Sequence, residues 1–214
     1  MKNTFSLKKK LAIITGSGRG IGRSLSLALA KNGCDIILAA RSSRELEEVN
    51  TEISLLGRNC YSFILDVKNV KEIKNFYAKL QEQSLKPNIL INNAGIEEVR
   101  DSEKVDEKLW DKILDTNLKG AFFISRYFAT QLKKNNMIGS IINLGSLSSS
   151  IGIPTAVAYT SSKSGILGMT RALSSEWASD NIRVNAIAPG YFRTNLTEVF
   201  YEDQNWQKNM LSKI

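Results

Sequence analysis

Apolar residues along the chain occur in two ways: as short unbroken runs, and as longer stretches where they recur every three or four positions. Six runs read as strands: "KLAIIT" (10–15), "IILAA" (36–40), "CYSFILDV" (60–67), "NILINNAG" (88–95), "SIINLGS" (140–146) and "IRVNAIAPG" (182–190). Their apolar character is continuous rather than alternating, which predicts strands covered on both faces. The periodic stretches read as helices. One follows the first strand through "IGRSLSLALAKN" and is closed by Gly33. A second crosses "SRELEEVNTEISLL", with Ser42 or Ser43 available as its cap. A lysine-rich third, "NVKEIKNFYAKL", separates strands three and four. Repeated β–α alternation predicts one α/β domain over 1–214, a doubly wound parallel sheet of the Rossmann kind with helices on both faces.

The helix expected from about Asp106 to Lys134 is unusually long and holds Gly120 inside it. Glycine there costs about 1 kcal/mol against alanine, so the helix either bends at "TNLKG" or packs closely against a neighbour. Asn117 lies at that spot. Two readings stand side by side: a packing glycine, or a bent turn that frees a backbone carbonyl beside a site. Trp110 and the aromatics of "GAFFISRYF" are expected in the core and in helix–helix contacts.

Composition narrows the function more than the fold. The chain of 214 residues is 43% hydrophobic and 23% charged, proportions of a globular domain large enough to bury a continuous core. Two cysteines, Cys34 and Cys60, are too few for a disulfide framework, and the N-terminus lacks the apolar core of a signal peptide. No run approaches the roughly 18 apolar residues of a membrane helix. These points predict a cytoplasmic protein with no membrane partner. The net charge is +8, yet apart from Lys8–Lys10 the lysines are dispersed over helix faces. That pattern argues against nucleic acid as a partner and for attraction of anionic cofactors and substrates. Histidine is absent. His-based triads and His-ligated zinc are excluded, no metal site is expected, and any general acid or base must be tyrosine, lysine or a carboxylate.

The turn after the first strand reads "TGSGRGIG", with Gly16, Gly20 and Gly22 between a strand and a helix. Glycines let the backbone approach a pyrophosphate, and the helix N-terminus supplies N–H donors and a positive dipole. Ser17, Arg19 and Ile21 of the same turn are expected to share in cofactor binding. An acid ending strand two would hold the ribose hydroxyls of NAD. Here that strand ends Ala39–Ala40–Arg41. Arg41 and Arg19 offer guanidinium groups suited to a 2′-phosphate, so NADP is expected over NAD. Asp66 and Val67 end strand three, where Asp66 is either an adenine contact or a helix N-terminal acid. Asn93, Ala94 and Gly95 end strand four in the same crevice. Tyr159 and Lys163, four positions apart in "AYTSSKSGILG", share one helix face. Their spacing alone fits an ordinary amphipathic face as well as an acid/base pair.

"TGSGRGIG", "NNAG", Asn117, Ser146, "YTSSK" and "APGYFRT", in this order over the whole chain, resemble the short-chain dehydrogenase/reductases. The resemblance implies an oxidoreductase that interconverts a secondary alcohol and a ketone by hydride transfer. Ser146, thirteen residues before Tyr159, matches the family's catalytic serine. Tyr159 and Lys163 match its YxxxK pair, which also contacts the cofactor, and Asn117 its structural–catalytic asparagine. Pro189, Gly190 and Thr194 match the segment closing over the nicotinamide side. In these roles the Lys163 ammonium and the cofactor's positive nicotinamide ring together stabilise the phenolate of Tyr159, the proton acid/base. A shift of about three units from an ordinary pKa of about 10 needs roughly 4 kcal/mol. Ser146 donates to the substrate oxygen, and Asn117 holds a water that relays protons to Lys163.

Residues 191–214 are expected to form a substrate lid. "PGYFRTNLT" and "SSEWA" resemble gluconate 5-dehydrogenase-type members acting on sugar acids and polyols, with the 3-oxoacyl-carrier-protein reductases as rivals. A nucleotide-binding module without turnover is the alternative of another class. It would lack Ser146, Tyr159 or Lys163, and all three are present. The full-length family form implies a homo-oligomer. Family members usually continue into one more strand and helix. The expectation is therefore a truncated form whose last strand is missing, whose sheet is open at "IRVNAIAP", and whose lid and assembly are altered.

Overall fold

The computed structural model describes residues 5–194, 197–202 and 208. Six parallel strands form one sheet in the order β3-β2-β1-β4-β5-β6. They are β1 Leu11–Thr15, β2 Asp35–Ala40, β3 Cys60–Ile64, β4 Ile89–Asn92, β5 Gly139–Leu144 and β6 Ile182–Ile187. The order reverses at β1, beside which β4 pairs on the side opposite β2. Such a switch opens a crevice at the carboxyl ends of the central strands.

Alternate residues of each central strand feed two cores, one on each face of the sheet. Ile13, Ile37, Leu90 and Ile141 join the first, with Phe128 and Trp177. Ile14, Ile36, Leu38 and Ile91 join the second, with Leu46, Val49 and Ile53. This double cover explains why the central strands read as unbroken apolar runs. The edge strands depart from that expectation. In β3, Tyr61 and Phe63 are half-buried, whereas Ile64 is exposed. In β6, Ile182 and Val184 are buried and Arg183, Asn185 and Ile187 are exposed. Each edge strand has a neighbour on one side only, so cover is incomplete. Among the described residues β6 pairs with β5 alone.

The helices follow their sequence signals. In α1 (Gly20–Lys31), Gly33 takes a left-handed φ of 94° just beyond the last turn. In α2 (Ser43–Leu55) the cap is Ser42, which accepts from the Glu45 N–H. In α3 (Val70–Glu82), Asn69 caps two N–H groups and Ile73, Phe76, Tyr77 and Leu80 are buried at helical spacing. The long helix expected over 106–134 is interrupted. α4 (Glu107–Leu114) passes through a wide π-helical turn at Asp115–Lys119 into α5 (Gly120–Lys134). A Cβ on Gly120 would lie 2.6 Å from the Val67 carbonyl oxygen. Bend and close packing therefore occur together. Trp110 is 39% exposed on α4, contrary to its expected place in the core. The last long helix, α6 (Val157–Trp177), carries Tyr159 and Lys163.

Candidate active site

The glycine turn folds over the end of β1. Gly16 and Gly20 have φ of 63° and 54°, a region that side chains disfavour. α1 begins without a side-chain cap, leaving the first-turn N–H groups to a ligand. A crevice of about 440 Å³ runs from this turn to α6. Gly16, Arg19, Gly20 and Ile21 line one end with Arg41, Asp66 and Val67, and Thr194 reaches this end, 3.6 Å from where a Cβ on Gly20 would lie; Ser146, Tyr159 and Lys163 line the other with Pro189 and Gly190. Asn93, Ala94 and Gly95 lie between. An uncapped helix terminus at a left-handed glycine turn, with arginines beyond it, fits an extended, phosphate-bearing dinucleotide.

Three expected site residues do not line the crevice. The Ser17 side chain is buried and accepts the Ala39 N–H at 3.0 Å, tying the turn to β2. A Cβ on Gly22 would lie 2.2 Å from the Gly16 carbonyl oxygen and 2.5 Å from Asn93 Nδ2, so this glycine serves the turn's own packing. Asn117 is buried and clamps the backbone of one residue on both sides: its Oδ1 accepts the Ile96 N–H and its Nδ2 donates to the Ile96 carbonyl, each at 2.9 Å. Nδ2 also reaches the Ser162 hydroxyl at 3.1 Å.

Several participants carry little local signal. Thr15 accepts the N–H groups of Asn93 and Ala94 at 3.1 and 3.0 Å, while Asn93 Nδ2 donates to the Thr15 and Gly16 carbonyls. The ends of β1 and β4 are thereby locked together. Glu45, on the first turn of α2, lines the crevice and pairs with Arg19 at 3.4 Å. Arg41 stands exposed at the rim, in none of the ion pairs among the described residues.

At the catalytic end, Ser146 ends the segment after β5. Its N–H donates to Ser149 Oγ at 3.1 Å, and that hydroxyl donates to the Lys163 carbonyl at 2.9 Å. These bonds fasten the serine against α6, where its hydroxyl bonds that of Tyr159. Lys163 is buried, and Nζ donates to the Leu144 carbonyl at 2.7 Å. Burial holds its pKa down at about 8, with the Glu97 carboxylate pulling the other way. Burial pushes the Tyr159 phenol up to about 12, against the Ser146 hydrogen bond; the charges of Glu97 and Tyr191 add to the rise.

The short chain dehydrogenase family model matches residues 10–205. A 2-dehydro-3-deoxy-D-gluconate 5-dehydrogenase of Dickeya dadantii is 39% identical over 212 residues, covering 99% of this chain and 83% of the relative. A Sinorhizobium meliloti structure described as a short-chain alcohol dehydrogenase is 49% identical with a TM-score of 0.94, covering 98% of this chain and 83% of its own. An Agrobacterium tumefaciens structure described as a 2-deoxy-D-gluconate 3-dehydrogenase with bound NADP is 36% identical with a TM-score of 0.92, covering 100% and 84%.

Proposed function

Because the chain belongs to the short-chain dehydrogenase family, we propose that it is an NADP-dependent oxidoreductase interconverting a secondary alcohol and a ketone of a sugar acid or polyol. The observation that carries this reading is the shared crevice. It joins an uncapped helix N-terminus at one end to Ser146, Tyr159 and Lys163 at the other. Gly16, Gly20 and the α1 N-terminus would hold the pyrophosphate, and Arg41 the 2′-phosphate, with Arg19 competing between that phosphate and Glu45. NADP, when bound, would supply the hydride acceptor and a cationic ring, whose charge would favour the ionised form of the Tyr159 phenol that burial holds up at about 12. Ser146 donates to the substrate oxygen, and Tyr159 takes the alcohol proton or returns it. Lys163, held by the Leu144 carbonyl, keeps a titrating amine beside the phenol. Asn117 sets the position of both peptide groups of Ile96, and so acts as a positioning residue.

The D. dadantii relative supports the sugar-acid side of this reading. The A. tumefaciens structure supports NADP. The test sets oxidation of sugar acids and polyols with NADP against reduction of an acetoacetyl thioester with NADPH. Turnover confined to the thioester would assign the carrier-protein reductase activity instead. Tight NADPH binding without turnover on either panel would assign a binding module.

A further inference from the structure

Beyond β5 the chain makes one short turn, Leu147–Ser149, with Ser146 at its head and Ser149 at its foot. Both side chains bond back to the backbone of the turn. The Ser149 hydroxyl accepts the Ser146 N–H at 3.1 Å, and the Ser146 hydroxyl accepts the Ser148 N–H at 3.2 Å. The Ser149 N–H completes the turn by donating to the Ser146 carbonyl at 2.9 Å. Ser149 also meets α6 twice. Its hydroxyl donates to the Lys163 carbonyl at 2.9 Å, and its own carbonyl accepts the Ser164 hydroxyl at 3.3 Å. A hydroxyl has a single proton to donate. That of Ser149 is committed to α6, and its oxygen to Ser146.

The consequence falls on Ser146. Its oxygen receives a backbone N–H, a group that can only donate, so the Ser146 proton points away from the turn. Ser146 lines the crevice with Tyr159 and Lys163. A hydroxyl that receives one hydrogen bond is polarised and donates the next more strongly. Without the Ser148 N–H it would turn between donating and accepting. Ser149 itself does not line the crevice, so its influence on chemistry has to pass through its neighbours.

We propose that Ser149 is a positioning residue: tied to the Ser146 N–H and the Lys163 carbonyl, its hydroxyl holds the turn in which the Ser148 N–H fixes Ser146 as a hydrogen-bond donor to substrate. This rests on the oxidoreductase reading above and deepens it. A side chain that only capped the turn would change stability, but neither the titration of Tyr159 nor the coupling to Ser146. The Leu147 N–H, bonded to the Pro189 carbonyl at 3.2 Å, anchors the turn independently. Loss of the Ser149 hydroxyl should therefore loosen the turn without unfolding the chain.

The experiment measures kcat, KM and the pH profile of kcat/KM at saturating NADP, with the alcohol that turns over best on the panel above. Ser149→Cys keeps the size of the side chain with much weaker hydrogen bonding, and Ser149→Thr keeps the hydroxyl. Ser149→Ala and Ser149→Cys should each lower kcat about tenfold, part of the roughly hundred- to thousandfold that follows outright loss of a donor to a developing oxyanion. KM and the Kd for NADPH should hardly change, and Ser149→Thr should recover most of the loss. The acid limb of the profile should move to higher pH in the two weak variants, because a loosened Ser146 favours the Tyr159 phenolate less. In a Ser146→Ala background, Ser149→Ala should cost almost nothing more. Amide exchange at Ser148 reads the turn without turnover: it should quicken in Ser149→Ala and Ser149→Cys but not in Ser149→Thr. A full loss repeated on Ser146→Ala, an unmoved acid limb, or unchanged exchange at Ser148 overturns the proposal. Quickened exchange in a protein that turns over nothing even as wild type supports the hold of Ser149 on Ser146 and overturns the reaction assigned above.

Discussion

The Lys163 ammonium lies 5.7 Å from the centroid of the Tyr159 ring while donating to the Leu144 carbonyl at 2.7 Å. Its folded pKa of about 8 stands below the ordinary lysine value of about 10.4. Below pH 8 both folded and unfolded chains carry this proton, and the burial cost is present in full. Between about 8 and 10.4 the folded chain has released it and the unfolded chain still holds it, so stability gains with rising pH. The unfolding free energy of wild type minus that of Lys163→Met should climb by about 2 kcal/mol from pH 7 to pH 10. A flat difference in denaturant titrations would show that Lys163 is not desolvated as described.

Tyr159→Phe is expected to lower kcat by more than a hundredfold while the Kd for NADPH stays within a few-fold. The ring keeps its place on α6, and only the hydroxyl bonded to Ser146 is lost. Retention of a tenth of wild-type kcat would remove Tyr159 from proton transfer.

Cofactor choice should depend on three charges at the rim. Arg41 is exposed and unpaired there, whereas Arg19 is held at 3.4 Å by Glu45. Wild type should prefer NADP to NAD by more than tenfold, and Arg41→Ala should erase most of that. Releasing Arg19 through Glu45→Gln should raise the preference further. Equal kcat/KM for the two cofactors in wild type would contradict the assignment, as would a fall in preference on Glu45→Gln.

Two glycines should respond to alanine with opposite sign. At Gly22 the new Cβ would meet backbone at 2.2 Å, so Gly22→Ala should destabilise by about 2–3 kcal/mol and weaken NADPH binding. At Gly168, inside α6, a Cβ meets nothing within 4 Å and φ is not left-handed. Gly168→Ala should stabilise by about 0.4–1 kcal/mol by restricting the unfolded chain. Thermal denaturation of both variants checks the pair.

What could be read from the sequence was local. The glycine turn, the Ser42 cap, the break near Gly120 and the face shared by Tyr159 and Lys163 are each set by residues within one or two turns of one another. The Thr15–Asn93 lock joins residues 78 positions apart, and Ser17 turns away from the crevice to serve Ala39, 22 positions on. Nothing in either neighbourhood announces those partners. "IEEVR" has the same limit. Its two acids look equivalent until Lys112, fourteen positions on, is found beside Glu98 and not Glu97. The uneven cover of β3 and β6 depended on strand order, which alternation alone does not supply.

The wide turn at Asp115–Lys119 is also a phase shifter. Gly120 donates to the carbonyl of Asp115, five residues back, where a regular helix would reach four. An ordinary helix advances about 100° per residue, so the additional residue resets the angular register between the segments it joins. α4 can then aim Leu109 and Ile113 at Ala158, next to Tyr159, while α5 aims Ile124 and Phe128 into the core under the sheet. Deleting one residue from 115–119 would restore a uniform pitch and rotate α4 away from Ala158. The hydrophobic residues would be unchanged in kind and number, yet the helix end that carries the tyrosine would lose its support.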